Sequence, residues 1–398
     1  MPNFPNFARV CTPMLRTALA SCAGAVAGGA AVYLAKSSEH PPPPQPASPP
    51  PPPPPPPVEP WRRLCKHGLP VTEHLHVGAA YASSVSFRDR IPLWVAEHLT
   101  SADRDGEGVD RSKSRFRSDE AVPPPFRATN EDYRGSALSR GHMAPAGAHK
   151  QSQEGLNETF LLSSNILPQE LSNNGSDWLR LERFVKDLTK TFSDVFVVSG
   201  PLFLPEALPV EARSPLARKD AVRKRVTFDV IGDRAVAVPT HLYKVVLAEG
   251  GAGGERRLSA FVLPNGPVPG HPSLDSFVVP LEQVEASAGL VVFPDLSEKA
   301  AIAPLCGGEL GACGVGAMDG RIVGWKMLGN LKLSRNCQEL KSAWAEVEGH
   351  GGLDNMRMMS QTKDSLASSM ACEWQPPKRA APKQPNGAAP PEGRAPSS

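Results

Sequence analysis

The patterning of this sequence predicts an α+β fold with a central, mostly antiparallel sheet and a small C-terminal helical lobe. Three observations carry that expectation. Between residues 61 and 304, short apolar runs bounded by turn residues outnumber helical patterns. Those runs are not regularly separated by helices, as they would be in a parallel α/β sheet. After Cys306, a glycine-dense stretch reaching Gly324 gives way to helical spacing.

The elements follow in order. Asp194-Val195-Phe196-Val197-Val198-Ser199-Gly200 is a nearly unbroken apolar run ending in a Gly-Pro turn, the pattern of a buried strand. Val226-Thr227-Phe228-Asp229-Val230 alternates with period two and predicts another strand. Residues 235–247, interrupted at Pro239, predict one or two more, and residues 258–263 a further one that ends at the turn Pro264-Asn265-Gly266. One helix stands out, because Trp178, Leu181, Phe184 and Leu188 share a face at three- and four-residue spacing. Ser176 or Asn174 is placed to cap its start. A short helix over 280–287 precedes a predicted strand over 289–293. In the lobe, residues 326–348 read as an amphipathic helix or helix pair anchored by Met327, Leu328, Leu331 and Trp344.

Outside this folded region the composition changes. No acidic residue precedes Glu39, and residues 17–35 form an uncharged, Gly- and Ala-rich apolar run. Three readings of that run compete: an Arg-bearing mitochondrial presequence or anchor, a secretory signal, and a buried helix. Much of the proline, 44 residues in all, falls between Pro41 and Pro57, a stiff polyproline spacer. The division is therefore 1–40 as targeting segment or membrane anchor, 41–60 as spacer, 61–304 as main domain, 305–372 as helical lobe and 373–398 as disordered tail. The net charge of +2 rules against a uniformly basic binder, but residues 111–117 and 213–225 are locally rich in Arg and Lys, which fits a phosphate partner or solvated loops. The seven cysteines include no C-x-x-C pair, which argues against a disulfide scaffold and a four-Cys zinc site. A Cys306–Cys313 bond remains open. His67, His74 and His76 lack cysteine or acidic partners at ligand spacing, so surface or packing roles are expected.

The chemistry concentrates in two groups. In Ser139-Arg140-Gly141-His142-Met143-Ala144-Pro145 the Arg and the His stand two residues apart, so an extended backbone points both to one side. Arg140 is expected to disfavour protonation of His142 and keep it able to accept a proton. By itself a lone turn histidine is more often structural. Asn174 and Glu182 are eight residues apart. A helix beginning near Asn174 would bring both to one face, where an amide oxygen and a carboxylate suit a hard cation such as Mg²⁺. The plainer reading is a cap residue and a solvated glutamate.

These groups, with Asn130-Glu131-Asp132-Tyr133, Ser164-Asn165-Ile166-Leu167-Pro168-Gln169, Val198-Ser199-Gly200-Pro201-Leu202 and the run 236–244, occur in the order seen in one family. Over about residues 68–294 the sequence resembles the DNA/RNA non-specific endonucleases, in particular their animal mitochondrial branch and its exonuclease-type members. The resemblance implies a ββα-metal nuclease fold. It implies that His142 is the general base, that Asn174 is the direct ligand of Mg²⁺ (with Mn²⁺ able to substitute), and that Glu182 holds water beside the cation. It implies that Arg140 stabilises charge on the phosphate, and that Arg111, Lys150, Asn165 and Gln169 bind substrate or shape its site. DNA, and RNA as a second candidate, are the implied substrates, cut internally and from 5′ ends. A homodimer in mitochondria, held at the inner membrane through residues 17–35, is implied too. The sequence departs from the family in three places. Leu161-Leu162-Ser163-Ser164 is one residue longer, Ala148-His149 replaces two polar amides, and residues 206–225 are a longer, more basic insertion. The competing readings are a nucleic-acid-binding protein weakened in catalysis, and a proline-rich adaptor with a vestigial domain. An intact His142, Asn174 and Glu182 set speaks against the first, and deletion of residues 41–57 would matter to the second and little to a nuclease.

Overall fold

The structure, a computed structural model, describes residues 74–105, 108–207, 223–307, 313, 319–350 and 353–373. The expectations for 1–40, 41–60, His67 and the tail lie outside these residues, as does most of the basic insertion.

The main sheet has seven strands. Three come early: β1 (His74–Val77), β2 (Ala82–Ser86) and β3 (Ile91–Leu99). A second sheet follows, from β4 (Arg117–Ser118), β5 (Leu138–His142), β6 (Leu161–Leu162) and β7 (Ile166–Glu170). The main sheet resumes with β8 (Asp194–Leu202). The short strands β9 (Glu206–Ala207), β10 (Lys224–Arg225), β11 (Val230–Ile231) and β12 (Val236–Ala237) form two ribbons, before β13 (His241–Glu249), β14 (Arg256–Pro264) and β15 (Val278–Val279) finish it. The order β1-β2-β3-β8-β13-β14-β15 is antiparallel at every step, as expected.

Both faces of this sheet are covered, which explains apolar runs without alternation. In β13, Leu242, Val246 and Ala248 face the core layer that holds Trp178, Leu181 and Val185 of the helix Asp177–Leu188. Tyr243, Val245 and Leu247 face the opposite layer, closed by Val284 of the helix Leu281–Ala288. Two predicted strands are corrected. Residues 226–230 carry a strand only at Val230–Ile231: of the alternating set only Phe228 packs inward, against Phe203, while Val226 and Val230 are exposed. Residues 289–293 form a reversal, with Gly289 and Phe293 both at positive φ.

The second sheet carries the site. β5 and β7 pair antiparallel, with Ser139 opposite Gln169 and His142 opposite Ile166. A Cβ at Gly141 would collide with Gln169, so the close approach of these strands requires glycine there. The run 161–164 forms the end of β6 and the turn that leads to β7. Ser163 takes φ 70° there, its hydroxyl accepts from Ala128 N at 2.9 Å, and Ser164 binds Asp119. No bulge is needed within a strand.

The single helix expected to start near Asn174 is two. Leu171–Gly175 ends, the chain breaks at Ser176 (φ −123°, ψ −90°), and Asp177–Leu188 begins. The break is held by a buried ion cluster. Asp177 accepts from Arg180 at 2.7 Å and from Lys326 at 2.6 Å, all three almost fully buried. Lys326 belongs to the helix Gly320–Leu333, which packs with Cys337–His350 and with Met356–Ser369, a third helix the sequence pattern did not signal. Gly320–Leu333 lies against Leu171–Gly175, where the absence of a side chain on Gly175 admits the Trp325 ring. Two disulfides, Cys306–Cys313 and Cys337–Cys372, join segments of this C-terminal region. Cys306–Cys313 is the local pair left open above, seven residues apart, whereas Cys337–Cys372 corrects the expectation of no disulfide framework: its partners are 35 residues apart and are brought together by packing of the helices.

Removing the Asp177 carboxylate would take away the anion that Arg180 and Lys326 share in the interior. Asp177→Ala is expected to lower the unfolding free energy by about 3–5 kcal/mol, read as a shift of the denaturant midpoint. A loss below about 1 kcal/mol would contradict the buried geometry.

Candidate active site

β5 presents Arg140 and His142 on the wall of a cavity of about 950 Å³, as the two-residue spacing predicted. Asn174, Glu182, Arg111 and Lys150 line the same cavity, so six of the eight candidate residues converge. Asn165 and Gln169 do not reach it, which corrects their placement among substrate-binding residues. Both are fully buried. Asn165 uses its amide on backbone: it accepts from Ala144 N (2.8 Å) and donates to Ala144 O (2.9 Å) and Thr159 O (2.7 Å). Gln169 donates to Asn173 at 2.9 Å. They shape the strand and loop around His142 from below.

His142 is held by rings and backbone. Phe160 meets it edge-on at 5.0 Å and Phe116 tilts at 5.5 Å. Trp178 Nε1 donates to its carbonyl at 3.2 Å, tying the helix to β5. Its Nε2 is buried and has no hydrogen-bond partner. Burial pushes the imidazole pKa down to about 3, and the Arg111 guanidinium and His149 add to the effect. The cation acting on His142 is therefore Arg111, not Arg140 as expected. Arg111 stacks 3.9 Å from the centroid of Phe160, beside His142, whereas Arg140 lies over Tyr133 and Phe116 and donates to Asn130 O.

Glu182 shows the mirror effect. Burial raises its carboxyl to about 8, opposed by Lys244 and reinforced by Glu97. Asn174 Nδ2 donates to Ser139 Oγ at 3.0 Å, which orients the amide and leaves Oδ1 as a free oxygen donor in the cavity wall. An amide oxygen beside a carboxylate, with few protein ligands and room for water, is a donor set that fits a hard divalent cation. The two residues reach the cavity from separate helices rather than from one face of a single helix.

Other candidates separate cleanly. His76 stacks on Tyr81 at 5.0 Å with Nδ1 3.5 Å from Asp119, and His74 packs on Phe87, which are packing roles. Among the described residues, the one grouping of three metal-ligating side chains is Asp275 with Cys306 and Cys313, whose sulfurs are joined to each other. Sequence reasoning missed Arg321 and Trp325, which line the cavity from the helix Gly320–Leu333. It missed Arg183 and Lys186 on the Glu182 helix as well. The only local signal was Asp319, which caps Ile322 N at 3.0 Å and pairs with Arg183 at 2.8 Å.

Comparison with known proteins gives a consistent result. The family model of the DNA/RNA non-specific endonucleases matches residues 62–299. The chain is 43% identical over 247 residues to "Nuclease EXOG, mitochondrial" of Xenopus laevis, covering 61% of this chain and 64% of that protein. It is 40% identical over 238 residues to "Endonuclease G, mitochondrial" of Bos taurus, covering 60% and 75%. The match thus spans less than two thirds of the first of these relatives. Among solved structures, that of an EndoG/EndoGI complex is similar at a TM-score of 0.52 and 40% identity, covering 60% of this chain and 93% of that one.

Burial and Arg111 both oppose the imidazolium, so the neutral ring of His142 persists as pH falls and is lost only below its lowered pKa. NMR titration of His142 is expected to show no midpoint above pH about 5, and a higher midpoint in Arg111→Ala. A wild-type midpoint near the ordinary value of 6.5 would contradict the burial described here.

Proposed function

The chain belongs to the DNA/RNA non-specific endonuclease family, and from that premise we propose that it hydrolyses phosphodiester bonds of DNA, with RNA as a second substrate and little sequence preference. The observation that carries the reading is the charge of the cavity. Arg111, Arg140, Lys150, Arg183, Lys186 and Arg321 line it beside one carboxylate, Glu182. Such a trough matches a phosphate backbone, whose contacts fix position without reading bases.

His142, neutral and with Nε2 unengaged, takes a proton from water as the water oxygen attacks phosphorus. The opposite P–O bond breaks, and its oxygen leaves with a proton from solvent. Arg140 and Arg111 hold the non-bridging oxygens as negative charge builds. Glu182 orients water next to Asn174. Asn174 Oδ1 would hold the divalent cation, Mg²⁺ or Mn²⁺ in its place, which when bound would supply Lewis-acid compensation of phosphate charge.

The helix Gly320–Leu333 supports end-directed cleavage in addition to internal cutting. Arg321 and Trp325 stand at the cavity wall, where they would limit how a duplex continues past the site and bind a 5′ end. In this reading residues 61–304 are the nuclease domain and 305–372 an appended lobe. The mitochondrial names of the relatives support import into mitochondria, and the proposal adds a homodimer at the inner membrane or in the intermembrane space. The proposed anchor, 17–35, is outside the described residues, among which no helix is long and apolar enough to cross a membrane.

Nicking of supercoiled plasmid is expected in Mg²⁺ and not in EDTA, and His142→Ala is expected to slow it by about 10²–10⁴-fold. Equal rates for the two proteins, or full activity in EDTA, would overturn the mechanism. Arg321→Ala is expected to lower the ratio of 5′-end release to internal nicking about tenfold, the worth of one charge-assisted phosphate contact. An unchanged ratio, measured on linear and circular forms of one DNA, would remove Arg321 from end recognition.

A further inference from the structure

One buried charge lies beneath the catalytic loop and is not itself among the residues that line the cavity, although its field reaches the Glu182 carboxyl. Lys244 sits in the middle of β13, in the row of Leu242, Val246 and Ala248 that faces the main core layer. The pattern calls for an apolar side chain there. Instead an ammonium stands in a site where 1% of its side chain is exposed. Its ammonium donates to Ser199 Oγ at 2.6 Å and to the Met143 carbonyl at 3.1 Å, and forms an ion pair with Glu97 Oε1 at 3.7 Å. Ser199 is its cross-strand neighbour on β8, and Glu97 comes from β3 beyond. The second oxygen of Glu97 meets His149 Nε2 at 2.8 Å, and His149 is also buried.

The chain of contacts therefore grips the loop after His142 at both ends, at Met143 and at His149. Among the described residues no carboxylate bonds the His142 ring, so nothing aims the imidazole through its own nitrogens. Its direction depends on ring packing and on the backbone that carries it. The carbonyls of His142 and Met143 are taken by Trp178 and Lys244 in succession. A lysine buried at this depth disfavours the folded state relative to an apolar side chain of similar volume, so its presence calls for a reason other than stability.

We infer that Lys244, with Glu97 and His149, is a positioning unit that sets the aim of His142 by fixing the backbone of residues 143–149. The inference rests on the hydrolysis proposed above. It assigns no contact with substrate to Lys244.

The test compares the full-length wild type with Lys244→Met/Glu97→Gln, which removes the pair of charges together, and with His149→Gln and His149→Ala. Plasmid nicking in Mg²⁺ gives kcat and KM, and thermal unfolding reports the fold. Loss of aim acts on the reacting geometry, so the double variant is expected to lose about tenfold to a hundredfold in kcat with KM within about twofold. Its unfolding midpoint should be no lower than that of the wild type. His149→Gln should keep most of the activity that His149→Ala loses. A folded double variant with wild-type kcat, or equal activity in the two His149 variants, would overturn the inference. If the double variant does not fold, the His149 pair decides. A wild type that leaves DNA intact would overturn the functional reading and this inference with it.

Discussion

The carboxylate of Asp177, shared by Arg180 and Lys326 in the protein interior, is the contact on which the site's geometry depends. It sits at the first residue of the helix Asp177–Leu188, immediately after the break at Ser176. A continuous helix would have put Asn174 and Glu182 on one cylinder. The break lets Asn174 turn toward Ser139 while Trp178 and Glu182 stay over β5. The same carboxylate draws in Lys326, and with it the helix that carries Arg321 and Trp325 to the cavity. One buried anion thus joins the local chain geometry to the arrival of a segment some 150 residues later.

Much of this was legible in the sequence because the relevant signals are local. The period of Trp178, Leu181 and Leu188 marked a helix with one buried face, and the spacing of Arg140 and His142 marked a shared side of a strand. The apolar runs 194–200 and 258–263 read correctly as strands, but the Gly-Pro turn expected after the first is not formed: β8 continues through Gly200 and Pro201 to Leu202, paired with β13. What escaped has a common cause. The Asn174 break, the rank of Arg111 over Arg140 beside His142, and the pairing of Cys337 with Cys372 are all set by contacts between distant segments. Asn165 and Gln169 were recognised as belonging to the site, but a sequence motif does not distinguish a residue that touches the cavity from one that braces it from below. The alternation at 226–230 misled for the opposite reason: period two specifies a strand only where a second surface covers one side.

The main sheet shows how polar chemistry is carried through an apolar layer. Glu97, Ser199 and Lys244 lie on adjacent strands and point to one face. Around them the residues of that face are Val, Leu, Ile and Ala. Lys244 is partnered by both of the others, so the arrangement avoids the penalty of an unpaired buried charge. It also brings a positive charge close enough to oppose the upward shift of Glu182. The sheet is therefore more than a support for the cavity: its far strands reach the reacting groups through side chains rather than through loops.

The two disulfides divide the chain by its chemistry of maturation. No cysteine occurs between residues 66 and 305, so the segment bearing His142, Asn174 and Glu182 folds without regard to thiol chemistry. The helices that follow are different. Closing the loop from Cys337 to Cys372 contributes about 4 kcal/mol in a chain-entropy account, a large share of what three short helices can muster alone. In a reducing compartment the lobe would lose that contribution while the nuclease segment kept all of its own. The quality of the lobe, and with it the wall formed by Arg321 and Trp325, is thereby tied to the oxidative state in which the chain is assembled.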